Sequence, residues 1–334
     1  MASLEVPLGV WIGFLGFVLT MLALDLGVFN RKAHTVSVRE AGAWTAVWVS
    51  LALIFNVGLY FIAGQQVALE FLTGYLIEYS LSVDNIFVFV LIFSAFAVPP
   101  QYQHRVLFWG ILGALIMRGV MIALGAALIQ NYSWIIYVFG AFLVFAGIRM
   151  FFSREEETVD LEKNPVLRFF RRVFPVTEGY RGQRFVVLEN GKRMITPLLL
   201  VLVMIELTDL VFAIDSIPAI FAITQEPFIV FTSNIFAILG LRSLYFLLAG
   251  IIHKFVYLRY GLAFVLTYVG VKMLVLSVDI HIPTFVSLGV IVLALGTSIV
   301  ASLLSPKSKH LEEEAKEVEV PEVPESPGGP QRQG

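Results

Sequence analysis

Apolar residues in this chain come in long blocks separated by polar breaks. Nine blocks reach the length that carries a helix across a bilayer core, about 20 residues. They run over 7–29, 41–63, 67–97, 105–129, 133–152, 197–223, 228–252, 260–279 and 282–304. The block at 67–97 is long enough to tilt or break, and Pro99-Pro100 closes it. The pattern predicts an all-α fold, a polytopic transmembrane helix bundle of about nine spans.

Charges between the blocks orient them. Connections one, three, five and seven carry Arg31, Lys32 and Arg39, then Arg105, then nine Lys/Arg between Arg154 and Arg193, then Lys254 and Arg259. The even-numbered connections carry none. Basic residues collect on the cytoplasmic side, so the alternation predicts an outer N-terminus and a cytoplasmic C-terminus. The expected organisation is spans 1–5 over residues 1–152, a charged cytoplasmic insert over 153–196, spans 6–9 over 197–304 and a tail over 305–334. Within the insert, "RFVVLENGKRMIT" predicts a β-hairpin turning at Asn190-Gly191, read as a small structured linker. The tail is acidic and rich in Pro and Gly, which predicts disorder.

Composition changes the picture in two ways. Hydrophobic residues make up 58% of the chain and charged residues only 14%, where a soluble domain carries about 25% charged; lipid is therefore the main solvent. There is no cysteine, which excludes disulfides, thiolate metal sites and cysteine catalysis. The N-terminal "MASLEVPLGV" has no Lys or Arg before an apolar run too long for a signal-peptide core, so the first span reads as a retained helix.

Two segments of the chain resemble one another. "EYSLSVDNI" from Glu78 and "DLVFAIDSI" from Asp209 share an acid, five residues, Asp, a short hydrogen-bonding side chain and Ile. "GILGALIMR" ending at Arg118 parallels "AILGLR" ending at Arg242 after a short deletion, and "FAGIRM" at 145–150 parallels "YVGVKM" at 268–273, matching Arg149 with Lys272. Spans 3–5 thus match spans 6–8 in order. Three is odd, so the second copy crosses in the opposite sense: an inverted-topology 3+3 repeat, the usual scaffold of secondary transporters, with sites near the midplane at the repeat interface.

The spans also carry acids that lipid would reject. An ionised carboxylate at the bilayer centre costs about 2.5–3.5 kcal/mol on insertion scales, yet Glu78, Asp84, Glu206, Asp209 and Asp215 fall near the middle of spans, with Asp25 toward the end of the first. Glu70 falls closer to the outer edge and reads as wetted. Arg118, Arg242 and Lys272 are the well-buried cations available to pair with these six acids, so protons or a bound cation must neutralise some. Glu206 and Asp209, three apart, share a helix face. Glu78 and Asp84 are six apart, as are Asp209 and Asp215, about 240° round a helix; each pair converges only if its helix breaks. Pro218, which has no N–H for the Ile214 carbonyl, supplies a cause in the second copy; the first has none. The donors are oxygens: carboxylates, the Asn85 amide, the Ser216 and Thr208 hydroxyls and freed carbonyls, a set suited to Mg²⁺, Ca²⁺ or Mn²⁺. Met204 is a soft neighbour that would favour Mn²⁺, or else packing filler. His253 and His281 fall at helix ends.

The stretches "DLGVFNRKAHTVSVREA" (25–41), "EYSLSVDNIFVF" (78–89), "ELTDLVFAIDSIPAI" (206–220), "NIFAILGLRSLYF" (234–246) and "YVGVKML" (268–274) resemble the TerC/Alx family of bacterial integral membrane proteins. The similarity covers most of residues 10–304. It implies a multi-pass protein of the bacterial plasma (inner) membrane, related to the LysE-type transporter superfamily, with manganese export as its activity. It also implies that Asp25, Glu78, Asp84, Asn85, Glu206, Asp209 and Asp215 are the metal-handling positions; spacing picks out the same set apart from Asp25. The expectation is a secondary transporter exporting Mn²⁺ (with Ca²⁺ or Mg²⁺ as alternatives) against inward proton movement, with no permanently bound cofactor. Its partners would be the metal ion and the lipid bilayer, with no nucleic acid; oligomeric state is not encoded in these patterns. Two other classes stand beside it. An intramembrane aspartyl protease also uses two buried aspartates, but in Tyr-Asp and Gly-x-Gly-Asp contexts that Asp84 and Asp215 lack. A TerC-type scaffold for metal delivery or tellurite stress complexes would not transport at all.

Overall fold

The computed structural model describes residues 6–24, 37–132, 134–152, 172–189, 191–249, 255, 257–275 and 282–305, without the side chains of Asp84 and Phe87. Asp25, residues 153–171 of the insert, Asn190, His253, His281 and the tail beyond 305 lie outside the described residues.

The described residues form an all-α membrane bundle of nine long helices. These are α1 (Leu8–Leu24), α2 (Val38–Ala63), α3 (Gln65–Ala95), α4 (Pro100–Asn131), α5 (Ile135–Phe152), α6 (Pro197–Phe221), α7 (Pro227–Leu248), α8 (Leu258–Val275) and α9 (Thr284–Leu304). Eight are long and apolar enough to span a membrane, and α1 is a shorter apolar helix of 17 residues. Local chemistry sets their ends. The Ser37 hydroxyl caps α2 by accepting from Glu40 N at 3.2 Å. Pro100, Pro197 and Pro227 open α4, α6 and α7, where a missing N–H costs nothing. At the end of α3, Ala97 turns left-handed at φ 48°. Ala97 N then donates to Ser94 O and Val98 N to Phe93 O, both at 2.9 Å, the pattern that closes a helix.

Neither α3 nor α6 breaks. Pro218 lies inside α6, which continues to Phe221. The proline sits in the last turn, so its lost bond has little helix beyond it to bend. The convergence expected of Asp209 with Asp215 therefore does not occur: Asp209 is buried, whereas Asp215 is half-buried on another face.

α5 and α8 make the most extensive helix contact, and α3 is enclosed by α2, α6, α7 and α9. α4 lies against α6 and α7, and α2 covers α7. The α5–α8 seam is backbone against backbone. A Cβ on Gly140 would lie 3.0 Å from Gly270 O, one on Gly270 2.7 Å from Gly140 O, and one on Gly147 2.7 Å from Ala263 O. Small residues permit such approach where lipid gives no hydrophobic drive to helix association. These contacts make the two helices antiparallel, so Arg149 and Lys272, each in the last turn of its helix, lie at opposite ends of the pair.

The hairpin predicted in the insert is present: β1 (Val186–Glu189) pairs antiparallel with β2 (Lys192–Ile195), and Gly191 takes φ 74° in the turn. It is docked rather than loose. Tyr180 Oη donates to Phe96 O at 2.7 Å, and the Arg105 guanidinium lies 5.3 Å from the Phe185 ring centroid. Both contacts join the insert to the α3–α4 corner.

Candidate functional site

Residues seven apart fall about 20° short of two full helical turns and so share a face. On α3 this groups Glu78 with Ser82 and Asn85; on α6 it groups Asp209 with Ser216. All five side chains are buried. The site is thus built on the first acid of each motif and the amide or hydroxyl after the second. The first and second acids of a motif do not share a face.

Arg118, on α4, joins the two faces and is 1% exposed. Its Nε donates to Asp209 Oδ2 at 3.0 Å and its Nη2 to Asp209 Oδ1 at 2.8 Å, a two-pronged ion pair. Nη1 donates to Glu78 Oε1. The same nitrogen lies 3.4 Å from Ser216 Oγ and 3.4 Å from Asn234 Oδ1. Four helices, α3, α4, α6 and α7, therefore meet at one guanidinium. Among the described residues Glu78 Oε2 and Asn234 Nδ2 are buried there with no hydrogen-bond partner. A small cleft beside Asp209 is lined by Gly110, Leu241 and Arg242 among others.

Glycines on α4 let the site close. The Glu206 carboxylate fills the notch at Gly113, where any Cβ would collide with it. Glu206 is half-buried and within electrostatic reach of Asp209. Gly110 fits against Ile205, with 3.4 Å to a notional Cβ.

Of the remaining acids, Asp215 is half-buried on another face of α6. Asp215 is within electrostatic reach of Arg149. Asp84 lies on α3, and its side chain, like all of Asp25, is outside the described residues. Among the described residues no three Asp, Glu or His gather in a metal-holding group. Thr208 Oγ1 donates back to Met204 O at 2.7 Å, and Met204 is buried.

Glu70 corrects the sequence reading. It is buried, not wetted, because α9 closes over its end of α3. Gln66 Nε2 donates to Glu70 Oε1 at 2.8 Å and to Thr284 Oγ1 at 2.9 Å. Glu70 lies within electrostatic reach of buried Lys272. The sequence reading also missed Asn234 and Gly113. The signal for Asn234 is the polar run "TSN" in an apolar span. The Thr232 and Ser233 hydroxyls donate to the Phe228 and Ile229 carbonyls, both at 2.8 Å, which leaves the amide for the site.

The sequence pattern described as "Integral membrane protein TerC family" matches residues 63–310, which hold α3 to α9 and both acidic motifs. The chain belongs to the TerC family. Its relatives agree over nearly full length. One is "Uncharacterized membrane protein STKORF319" of Myxococcus xanthus, 55% identical over 302 residues, 90% of this chain and 93% of that protein. Another, from Escherichia coli K12, carries the name "Putative membrane-bound redox modulator Alx"; it is 48% identical over 301 residues, 87% of this chain and 92% of its own length. No solved structure matches the chain. For a TerC-family protein, then, the arrangement at Arg118 is the described centre of the bundle: acids from two helices, one guanidinium, and surplus oxygen.

Proposed function

We propose that this chain is a secondary transporter of the bacterial inner membrane that exports divalent metal, Mn²⁺ foremost, from the cytoplasm in exchange for protons. The observation that carries the reading is the meeting of Glu78 from α3 and Asp209 from α6 at one buried point. Acids placed at such depth are costly and serve ion pathways. Their oxygen donors, with Asn85, Ser216 and Asn234 nearby, suit hard cations.

An inverted repeat supports the reading. Extending the match of Gly147 with Gly270 by two turns aligns Gly140 with Ala263. Exchanging the copies then turns the Gly140–Gly270 contact into Gly147–Ala263, and both contacts are present. The same exchange turns α3 on α7 into α6 on α4, again both present. The Glu78–Asp209 pair maps onto itself, as a pair on an axis relating the copies would. Under this reading Asp84 and Asp215, one per copy, flank the axis and pass the ion to it, with Glu206 as a relay. The redox role in the names of some relatives would need a carrier other than thiols, since the chain has no cysteine.

The test is Mn²⁺ flux into proteoliposomes holding the purified chain, with Asp84→Asn and Asp215→Asn beside it. Flux should be lost in both variants. Undiminished flux in both would remove these residues from the pathway, and no flux in the parent protein would favour the scaffold role.

A further inference from the structure

We infer that Arg118 is a tethered counter-cation: it holds the Glu78–Asp209 pair while no metal is bound, and an incoming divalent cation must displace it. The inference rests on the transporter reading above. It also explains why the described acids gather in no metal-holding group: the pair that two copies bring together is already filled, by part of the chain itself.

Three features carry it. First, the pocket offers more oxygen than a guanidinium uses. Arg118 takes both oxygens of Asp209 but one of Glu78, leaving Glu78 Oε2 buried and, among the described residues, unpartnered, as is Asn234 Nδ2. An unpaired buried polar group is expensive, and Glu78 Oε2 is one a small metal ion could ligate. Second, the charge is right for exchange and wrong for addition. Two carboxylates and a guanidinium leave a net charge of −1 in the ionised state. A dication replacing the guanidinium neutralises the pair, whereas one added beside it takes these three groups to +1, a buried excess that only a further acid such as Glu206 would offset. Third, the guanidinium is attached by a flexible arm from α4, and among the described residues its hydrogen bonds beyond the two acids go to Ser216 and Asn234 at the long distance of 3.4 Å. Among those residues the acids hold it most firmly.

A tethered competitor has a use. It is present at an effective concentration set by its arm rather than by the cell, so it weakens metal binding and hastens release. It also spares the empty carrier from crossing its conformational cycle with two bare carboxylates in the interior.

The experiment is equilibrium binding of Mn²⁺ to the detergent-solubilised full chain, paired with flux in proteoliposomes. Arg118→Gln should bind Mn²⁺ tighter by about tenfold or more, as expected on removing an intramolecular competitor, while its flux falls because release slows. Arg118→Lys keeps the charge but not the two-pronged bond, and should tighten binding by roughly threefold. If Arg118→Gln binds no tighter than the parent chain, the tether is overturned. Where that variant does not fold, Arg118→Lys decides, and binding no tighter than the parent again overturns it. A parent chain that transports Mn²⁺ while both variants fail to tighten sinks this inference alone. A parent chain that neither binds nor moves Mn²⁺ sinks the transporter reading and the tether together.

Discussion

α4 and α7 carry the matching stretches "GILGALIMR" and "AILGLR", and each has one buried arginine. Their surroundings differ sharply. α7 is buried at every position from Phe228 to Tyr245, under α1, α2 and α3, with Trp11 and Phe14 set against Phe228, Phe231 and Phe236. α4 turns one face outward through Trp109, Ile116, Val120, Leu124 and Leu128. The matching glycines diverge as well. Gly113 is the notch for Glu206, while a Cβ on Gly240 would meet only Tyr79 at 3.5 Å and Trp48 at 3.7 Å, ordinary contacts. A repeated sequence therefore does not make a repeated environment. The helix with a free face is the one whose arginine holds Glu78 and Asp209.

That contrast can be broken experimentally. The largest effect should come from Arg118→Met, which leaves Glu78 and Asp209 buried without their cation. Breaking a buried ion pair from one side costs about 3–5 kcal/mol, readable as a fall in melting temperature in detergent, and adding Glu78→Gln with Asp209→Asn should recover much of it. Next, Ile235→Ala on α7, where the side chain is fully buried, should cost about 2 kcal/mol or more. Ile116→Ala on the open face of α4 should stay within about 0.5 kcal/mol. Equal losses would show that a second copy or another chain covers α4. The smallest stability effects belong to the glycines. Gly240→Ala should be neutral or stabilise by up to about 1 kcal/mol, the helix preference for Ala over Gly. Gly113→Ala should gain little, because the new methyl displaces the Glu206 carboxylate, and it alone of the two should slow metal flux. Equal behaviour of the two alanines would erase the distinction.

The hydropathy blocks made the helices legible, because spanning lipid leaves the backbone few alternatives. The buried acids were legible for a related reason: at that depth each carboxylate stands out against its neighbours. Partnership was not. Six-residue spacing drew attention to Asp209 with Asp215, whereas the partners that meet, Glu78, Asp209 and Arg118, come from three helices whose approach depends on glycine notches. Glu70 was misread because its burial comes from α9, more than 200 residues away in sequence. Pro218 was misread because a proline matters by its place in a helix, and this one stands in the last turn.

The enclosure of α7 also bears on how the chain is made. Its polar run at Thr232–Asn234 and its Arg242 make it a poor candidate to enter lipid alone. The helices that wrap it, α1, α2 and α3, all precede it in synthesis, and so do α4, which brings Arg118 to Asn234, and α6, which brings Asp209 to Arg118. When α7 leaves the ribosome all of these helices have been made, so docking against them is the step that would complete the centre.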